Sequence, residues 1–538
     1  MKRGKLGILT TLAVCASLAL TGCGNTQTGT AQTDTATTAS TSGTEVTAAS
    51  GETNYADTFV VGLQDDVNCL DPDQSIGATE GCILFHIYEG LVREDENCNI
   101  VPLLAESWDI SEDGLVYTFH LKEGVKFSDG TGVTGEDWIW SLERARDNES
   151  SNSRSVAEPI QTVEAPDDAT LVITLKEPCA SFLANLCKWN MTVKSKAHYE
   201  AVGDDDAFSA APMGTGPYML TEWKKGESLT FAANPYYHEA GYPLTQNMVY
   251  KIISDDNTRL LQLQSGDIDI MVSAPASMAE SIEASAGVNL QTFTSTQIRY
   301  LTFNCSQKPL DDEKVRQALD YATDKQEILD VVANGYGTIA NAYFNNLYTE
   351  YHDDTLQARG VDYDKAKELL AEAGYPNGFD ITMNIYAGNS VYEDIATCLQ
   401  SEWSNIGVNV TIEELESATM KAAIKQQDGY VVTVLQWTDS TPDPNDLSAF
   451  ECVYADANQY NSFVYNHEIE DLYYETAKEM DTTKRAELFK QLQQTIYEYD
   501  NFVPLFQGEF VYGVSDKISG LQVTPFNHME AALIQKAE

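Results

Sequence analysis

Apolar positions along this chain follow two rhythms, and the changes between them mark the elements. From Glu106 to Leu121 the period is two. Tyr117, Phe119 and Leu121 fall on one face, and Ser111-Glu112-Asp113-Gly114 supplies turn residues between two extended runs, so a β-hairpin is predicted. At Thr134 the rhythm becomes helical. Thr134 stands where an N-cap belongs, Asp137 suits the positive helix end, and Trp138, Leu142 and Ala145 form an apolar stripe. Asp312 caps a predicted helix bearing Val315, Leu319 and Ala322, with Ile328 and Val332 continuing the stripe towards Gly335. A further helix stops at Gly374 with Pro376 beyond it, and another carries Ala486, Phe489, Leu492 and Ile496. Extended apolar segments at 381–386 and 408–412 separate these helices, which gives an α/β class.

The first residues follow neither rhythm. Lys2, Arg3 and Lys5 precede an apolar run, Leu6 to Leu20, that is short for a permanent membrane span. The run closes in Leu20-Thr21-Gly22-Cys23, which resembles a bacterial lipobox. That resemblance implies a signal peptide over 1–22, with Cys23 as the lipid-carrying mature N-terminus. Residues 24–53 are rich in Thr, Ala, Ser and Gly, hold no aromatic residue and contain the single valine Val46. Such a segment buries too little apolar surface to order itself, so 23–56 is expected to be a flexible tether spanning roughly 30 Å. The expected location is the outer face of the cytoplasmic membrane of a monoderm bacterium.

Charge narrows the functions. The chain has 82 acidic against 33 basic residues, a net charge of −49. That excess repels nucleic acid and anionic lipid. Eight cysteines remain once Cys15 and Cys23 are set aside, with Cys179 and Cys187 either a local disulfide or buried thiols. There is no C-x-x-C and the seven histidines are scattered, so neither a zinc site nor another cofactor is expected. Asp109, Ser111 and Asp113 alternate before Gly114 like a calcium loop, but its closing position holds His120, not a bidentate glutamate. H-E-x-x-H and G-x-S-x-G are missing, and Gly214-Thr215-Gly216 runs into Pro217 without a third glycine in register. The sequence therefore reads as a protein that is not an enzyme.

The stretch LQWTDSTPDPND, 435–446, concentrates binding chemistry. Trp437 offers a flat stacking face, Asp439 and Asp443 offer charge, and Pro442 and Pro444 stiffen the chain after an apolar strand. Together with CLDP (69–72), YEGLV (88–92), residues 102–145, GTGPYMLTEW (214–223), RLLQLQSGDIDI (259–270), VRQALDYATDKQEIL (315–329) and AKELLAEAGYPNGF (366–379), it resembles the peptide/nickel family of extracellular solute-binding proteins. The resemblance implies a type II, two-lobed periplasmic-binding-protein-like fold with an additional third domain. The first lobe is expected from 57–101, 181–270 and 505–538, the extra domain from 102–180, and the second lobe from 271–504. Crossings near 270 and 504 are hinge candidates. The implied protein is a monomer that closes over an oligopeptide or other small solute and docks on an ABC permease with its ATPase.

Gly77 and Ala78 match the first-lobe strand that contacts ligand backbone in peptide-binding members, Tyr300 leads into the second lobe, and Asn461 stands where the family presents a ligand-facing asparagine. Members that bind peptides carry Trp-x-x-Asp with a proline four residues on, the aspartate pairing with the α-ammonium. Trp437 and Pro444 keep that frame, but Ser440 holds the aspartate's place and Asp439 falls one residue early, on the other face of an extended chain. Asp439 is therefore not expected to make the ammonium salt bridge. An oligosaccharide or other polar solute is the alternative ligand, with Trp437 stacking on a sugar face; a nickel chelate fits least, for want of clustered histidines.

Overall fold

Two long antiparallel strands, Val288–Phe303 and Phe502–Ser515, run side by side through the middle of the protein. In the computed structural model, residues 54–75, 77–148, 154–424, 426, 429–453 and 464–538 are described. Both strands are rich in β-branched and aromatic residues; Phe502–Ser515 is almost continuously buried, the pattern of a strand covered on both faces, whereas Val288–Phe303 is so only in its second half. Asn409–Leu415, Asp380–Tyr386 and Val432–Trp437 add to one side of this pair, in that order from the edge. Ile270–Met271, Thr58–Leu63, Asn247–Ile252, Ser228–Ala233 and Tyr218–Lys224 add to the other.

The central pair breaks register twice, between Thr294 and Ile298 and again between Arg299 and Tyr300. Thr294 faces Glu509, but the next pairing is Ile298 with Gln507, so residues 295–297 bulge opposite Gly508. The Ser295 hydroxyl donates to the Gly508 carbonyl at 2.8 Å and accepts the Gln297 N–H at 3.1 Å, which holds the bulge. Beyond it, Leu301 and Phe303 pack with Val315, Leu319 and Trp403 on one face. Ile298 and Tyr300 pack with Phe489, Leu492 and Ile496 on the other. Before it, Ile282 and Val288 pack with Leu260, Leu263 and Ile268. The packing partners of this strand therefore change at the bulge. The apolar pattern runs on through that point, so the sequence carries no mark there.

A separate four-stranded antiparallel sheet has the order Ala105–Ile110, Val116–Leu121, Thr170–Leu175, Ile160–Asp167. The predicted hairpin is its first pair. The Gly114 N–H donates to the Ser111 carbonyl at 2.9 Å and the Ser111 hydroxyl to Asp113 at 2.6 Å, so Ser111 to Gly114 is a turn, with Asp109 still in its strand. Helix Gly135–Asp147 covers this sheet with Trp138, Leu142 and Ala145 buried, and Thr134 and Asp137 cap it reciprocally.

That helix also ties the small sheet to the Leu70-Asp71-Pro72-Asp73 segment. Arg144 donates to both Asp71 oxygens at 2.9 and 2.6 Å, to Asp73, and to Asp205 at 2.6 Å. Lys194 donates to Asp73 at 2.8 Å and to the Asn190 carbonyl at 2.9 Å. Asp71, Asp73 and Lys194 are fully buried. Such charges persist only because each is met; removing one partner would strand the others. Among the described residues none of the eight cysteines is joined in a disulfide. Cys179 lies against the Ser181 hydroxyl and Cys187 against the Leu183 carbonyl, so the possible disulfide between them is not formed.

Candidate functional site

Strands Asp380–Tyr386, Asn409–Leu415 and Val432–Trp437 are parallel. Their carboxyl ends open on one edge, where open α/β sheets hold ligands. Strand Val288–Phe303 reaches the same edge with Ile298 opposite Trp437 and Arg299 opposite Gln436. In the other half, Thr58–Leu63 runs parallel to Asn247–Ile252 and Ile270–Met271. Beyond their carboxyl ends lies a cavity of about 100 Å³ lined by Gln64, Asp65, Thr79, Cys82, Ser273 and Asn527. Ser273 and Asn527 both have left-handed backbones, and the Asn527 amide donates to the Ser273 hydroxyl at 3.3 Å.

Contacts join the two sides. The Ala180 N–H donates to the Ala477 carbonyl at 2.9 Å, and Lys478 pairs with Glu177 at 2.8 Å. Cys98, at the turn after strand Val92–Glu94, packs against the cluster holding Leu435 and Tyr348, which Trp437 also touches.

The loop after Trp437 carries three carboxylates with different fates. Asp443 is gripped by Arg485. Asp439 turns inward, accepting from the Asn345 amide at 2.8 Å and the Tyr348 hydroxyl at 2.7 Å, while its own N–H donates to Thr296 Oγ1 at 3.1 Å. Burial raises its pKa well above the usual carboxylate range, and repulsion from Asp446 adds to the shift. Asp446 lies in the first turn of helix Asn445–Glu451 and is half-buried. The Ser440 N–H donates to it at 2.6 Å, and the Ser440 hydroxyl lies 3.2 Å from each of its oxygens. Burial raises the pKa of Asp446 too; the positive charge of Lys188 and the Ser440 bonds oppose that shift. Lys188 comes from the other side, follows Cys187 in the chain, and lies over the Trp189 ring at 5.2 Å. Burial lowers its pKa, against the attraction of Asp446.

Arg299 is the second cation of the edge. It donates to Gln436 Oε1 at 2.5 Å and Gln297 Oε1 at 3.1 Å and lies 5.7 Å from the Phe506 ring centre. These two amide oxygens fix the guanidinium without neutralising it. Burial lowers its pKa, with Tyr392 opposing.

Of the residues singled out by sequence, Trp437 closes its strand at this edge and Ser440 follows in the same loop. Tyr300 does not line the cleft. It is fully buried and stacks on Phe502 with ring centres 4.1 Å apart, because strand alternation turns it into the core and gives the edge to Arg299. Gly77 precedes helix Ala78–Ile87, and a Cβ there would meet Glu80 Oε2 at 1.9 Å. The space at Gly77 is occupied by the carboxylate of Glu80, whose other oxygen accepts the Asn68 N–H at 3.0 Å. Ala78 opens that helix. Asn461 and Cys23 lie outside the described residues. Sequence reasoning missed Arg299, Lys188 and Asp446. A charge inside the buried strand IRYLTF was the one available signal for Arg299; Lys188 and Asp446 carried none.

Residues 99–455 match the family model described as bacterial extracellular solute-binding proteins, family 5 Middle. The glutathione-binding protein GsiB of Pectobacterium atrosepticum is 30% identical over 480 residues, 87% of this chain and 91% of that protein. The crystal structure of the ABC transporter substrate binding protein CtaP from Listeria monocytogenes is similar with a TM-score of 0.82 at 25% identity, over 90% of this chain and 100% of that one. AgaA of A. tumefaciens R10, in complex with agropinic acid, is similar with a TM-score of 0.73 at 28% identity, over 89% and 99%. The three-domain periplasmic-binding-protein fold and the match through the central part of the sequence converge. The chain belongs to family 5 of the bacterial extracellular solute-binding proteins, the substrate-binding proteins of ABC transporters, which act outside the cytoplasm and bind solutes without converting them.

Proposed function

We propose that this protein captures short peptides or peptide-like solutes bearing a carboxylate, between its two lobes, and delivers them to an ABC permease and its ATPase. Cys23 is proposed as the site of the lipid that holds it at the outer membrane face, and the bulge at 295–297 opposite Gly508 as the hinge. Trp437, Arg299, Asp446 and Lys188 are the proposed ligand contacts.

Arg299 carries this reading. A half-buried guanidinium held by two neutral amides presents its charge in a fixed orientation, which suits a carboxylate in bidentate contact. A neutral sugar would leave that charge unmet in a closed site, at a cost that a carboxylate removes. The named ligands of two similar proteins, glutathione and agropinic acid, both belong to the acid class. Closure then follows from differential affinity: a ligand touching both lobes stabilises the closed arrangement over the open one.

Native mass spectrometry of the protein purified gently from rich medium tests the proposal. Bound masses spaced by amino-acid residues support it. Adducts spaced by hexose units overturn it in favour of an oligosaccharide.

A further inference from the structure

The end of helix His467–Lys478 meets the separate four-stranded sheet along a short seam. The Ala180 N–H donates to the Ala477 carbonyl at 2.9 Å, and Lys478 pairs with Glu177 at 2.8 Å. Glu177 follows strand Thr170–Leu175, and Ala180 lies between Cys179 and Phe182, which pack with the core of that sheet. The hairpin turn of the same sheet reaches the next residues: a Cβ on Gly114 would stand 3.0 Å from Met480 Cγ. The facing side is firmly held. The Thr476 hydroxyl donates to Asn445 Oδ1 at 3.0 Å, and Arg485, which grips Asp443, donates through Nε to the Thr476 carbonyl at 2.8 Å. The end of this helix is thus tied to the loop that follows Trp437.

We infer that this seam is a clasp of the closed arrangement: the four-stranded sheet, without touching solute, makes a contact that forms when the lobes close and breaks when they part. This rests on the reading that the protein closes over its solute. The two sides meet through three unlike contacts, a backbone hydrogen bond, an ion pair and a van der Waals contact, and all three fall on residues 477–480 of one side. A contact made only in the closed form shifts the open–closed balance by its own free energy. Every solute then gains by the same factor, so the clasp sets affinity in common while the cleft sets the choice among solutes. The partners of the ion pair are 54% and 62% exposed, so its share is small and falls with salt. The backbone bond reports opening directly, because the Ala180 amide exchanges when the Ala477 carbonyl leaves it.

Hydrogen exchange read on the segment 177–183 tests the clasp in the whole chain, with no solute needed. Lys478→Glu sets a like charge against Glu177 and is expected to speed exchange there about two- to fivefold, with helix Gly135–Asp147 unchanged. Adding Glu177→Lys restores an ion pair with the charges exchanged and is expected to return the wild-type rate. A pool of short synthetic peptides should slow exchange in the same segment of the wild type. Lys478→Glu should weaken binding of every member of that pool by one common factor of about two to five, leaving their ranking unchanged. Unchanged exchange in Lys478→Glu, or no recovery in the double variant, overturns the inference. So does pool binding that leaves exchange at 177–183 unaltered; each of these results leaves solute capture intact. A pool that does not bind overturns the peptide reading alone, since exchange in the unliganded variants decides the clasp.

Discussion

Arg485 grips Asp443 with both arms of its guanidinium, Nη1 donating to Oδ2 at 2.7 Å and Nη2 to Oδ1 at 2.8 Å. The arginine belongs to helix Thr482–Tyr499 and lies 5.1 Å from the ring centres of both Tyr351 and Phe489. Asp443 stands between Ser440 and Asp446, so this pair fastens the loop after Trp437 to the longest helix of the described residues. Arg485→Met leaves a buried carboxylate alone and is expected to cost about 3–5 kcal/mol. Adding Asp443→Asn should recover part of the loss, and urea unfolding of the two single variants and the double variant measures that coupling.

Arg299 should show the opposite balance. Its charge is half-buried and held by amides, so Arg299→Met is expected to raise stability by up to about 1 kcal/mol. The same change should lower affinity for carboxylate-bearing peptides at least about tenfold. Thermal melting without ligand and peptide titration of the same variant check both signs. A variant that is less stable and binds normally would make Arg299 a structural residue.

Glu402 gives a pH signature. Burial pushes its pKa up to about 8 from 4.5, against the Asp324 N–H that donates to it at 3.0 Å. Its folded pKa lies above its unfolded value, so the folded state keeps the proton longer. The stabilising contribution is fully present below about pH 4.5 and is lost as pH rises to about 8. Glu402→Gln should therefore melt higher than wild type at pH 8, with the gap closing towards pH 4.5. Parallel melting curves across that range would show that the carboxyl is not protonated in the fold.

The bulge is testable without any ligand. Ser295→Ala removes the bond to the Gly508 carbonyl, at an expected cost of about 1 kcal/mol. Amide exchange should speed up at 295–298 and 507–509 and stay unchanged in helix Gly135–Asp147. Unchanged exchange at the bulge would show that the backbone alone holds it.

Much of the fold was legible because local chemistry and tertiary packing agree. Thr134 caps its helix as predicted, with Asp137 bonding back to it, and Trp138, Leu142 and Ala145 face the core. Where periodicity outlives the element, the reading slips. Asp312 to Gly335 reads as one stripe, but the structure divides it into Glu313–Tyr321 and Lys325–Ala333, with Asp324 capping the second helix. The residues on either side of that break share an apolar face, so period alone cannot show it. The site was legible only where its residues are neighbours in sequence. Trp437 and Ser440 are marked by their own stretch, whereas Arg299 meets Gln436 across 137 positions of chain. Tyr300 misled because one step along a strand reverses a side chain, and nothing local fixes which face is the cleft.

The buried cluster of Arg144 and Lys194 with Asp71, Asp73 and Asp205 has a mechanical consequence. It rivets the four-stranded sheet to the jaw that carries the LDPD segment, so the two should swing as one heavy block. With the proposed hinge at 295–297, the bite then has a single angle to vary. One pair of spin labels, placed on the outer surfaces of the block and of the opposing jaw, should report the whole stroke. A second pair within the block, spanning helix Gly135–Asp147 and strand Thr58–Leu63, should show one fixed distance whether the mouth is full or empty.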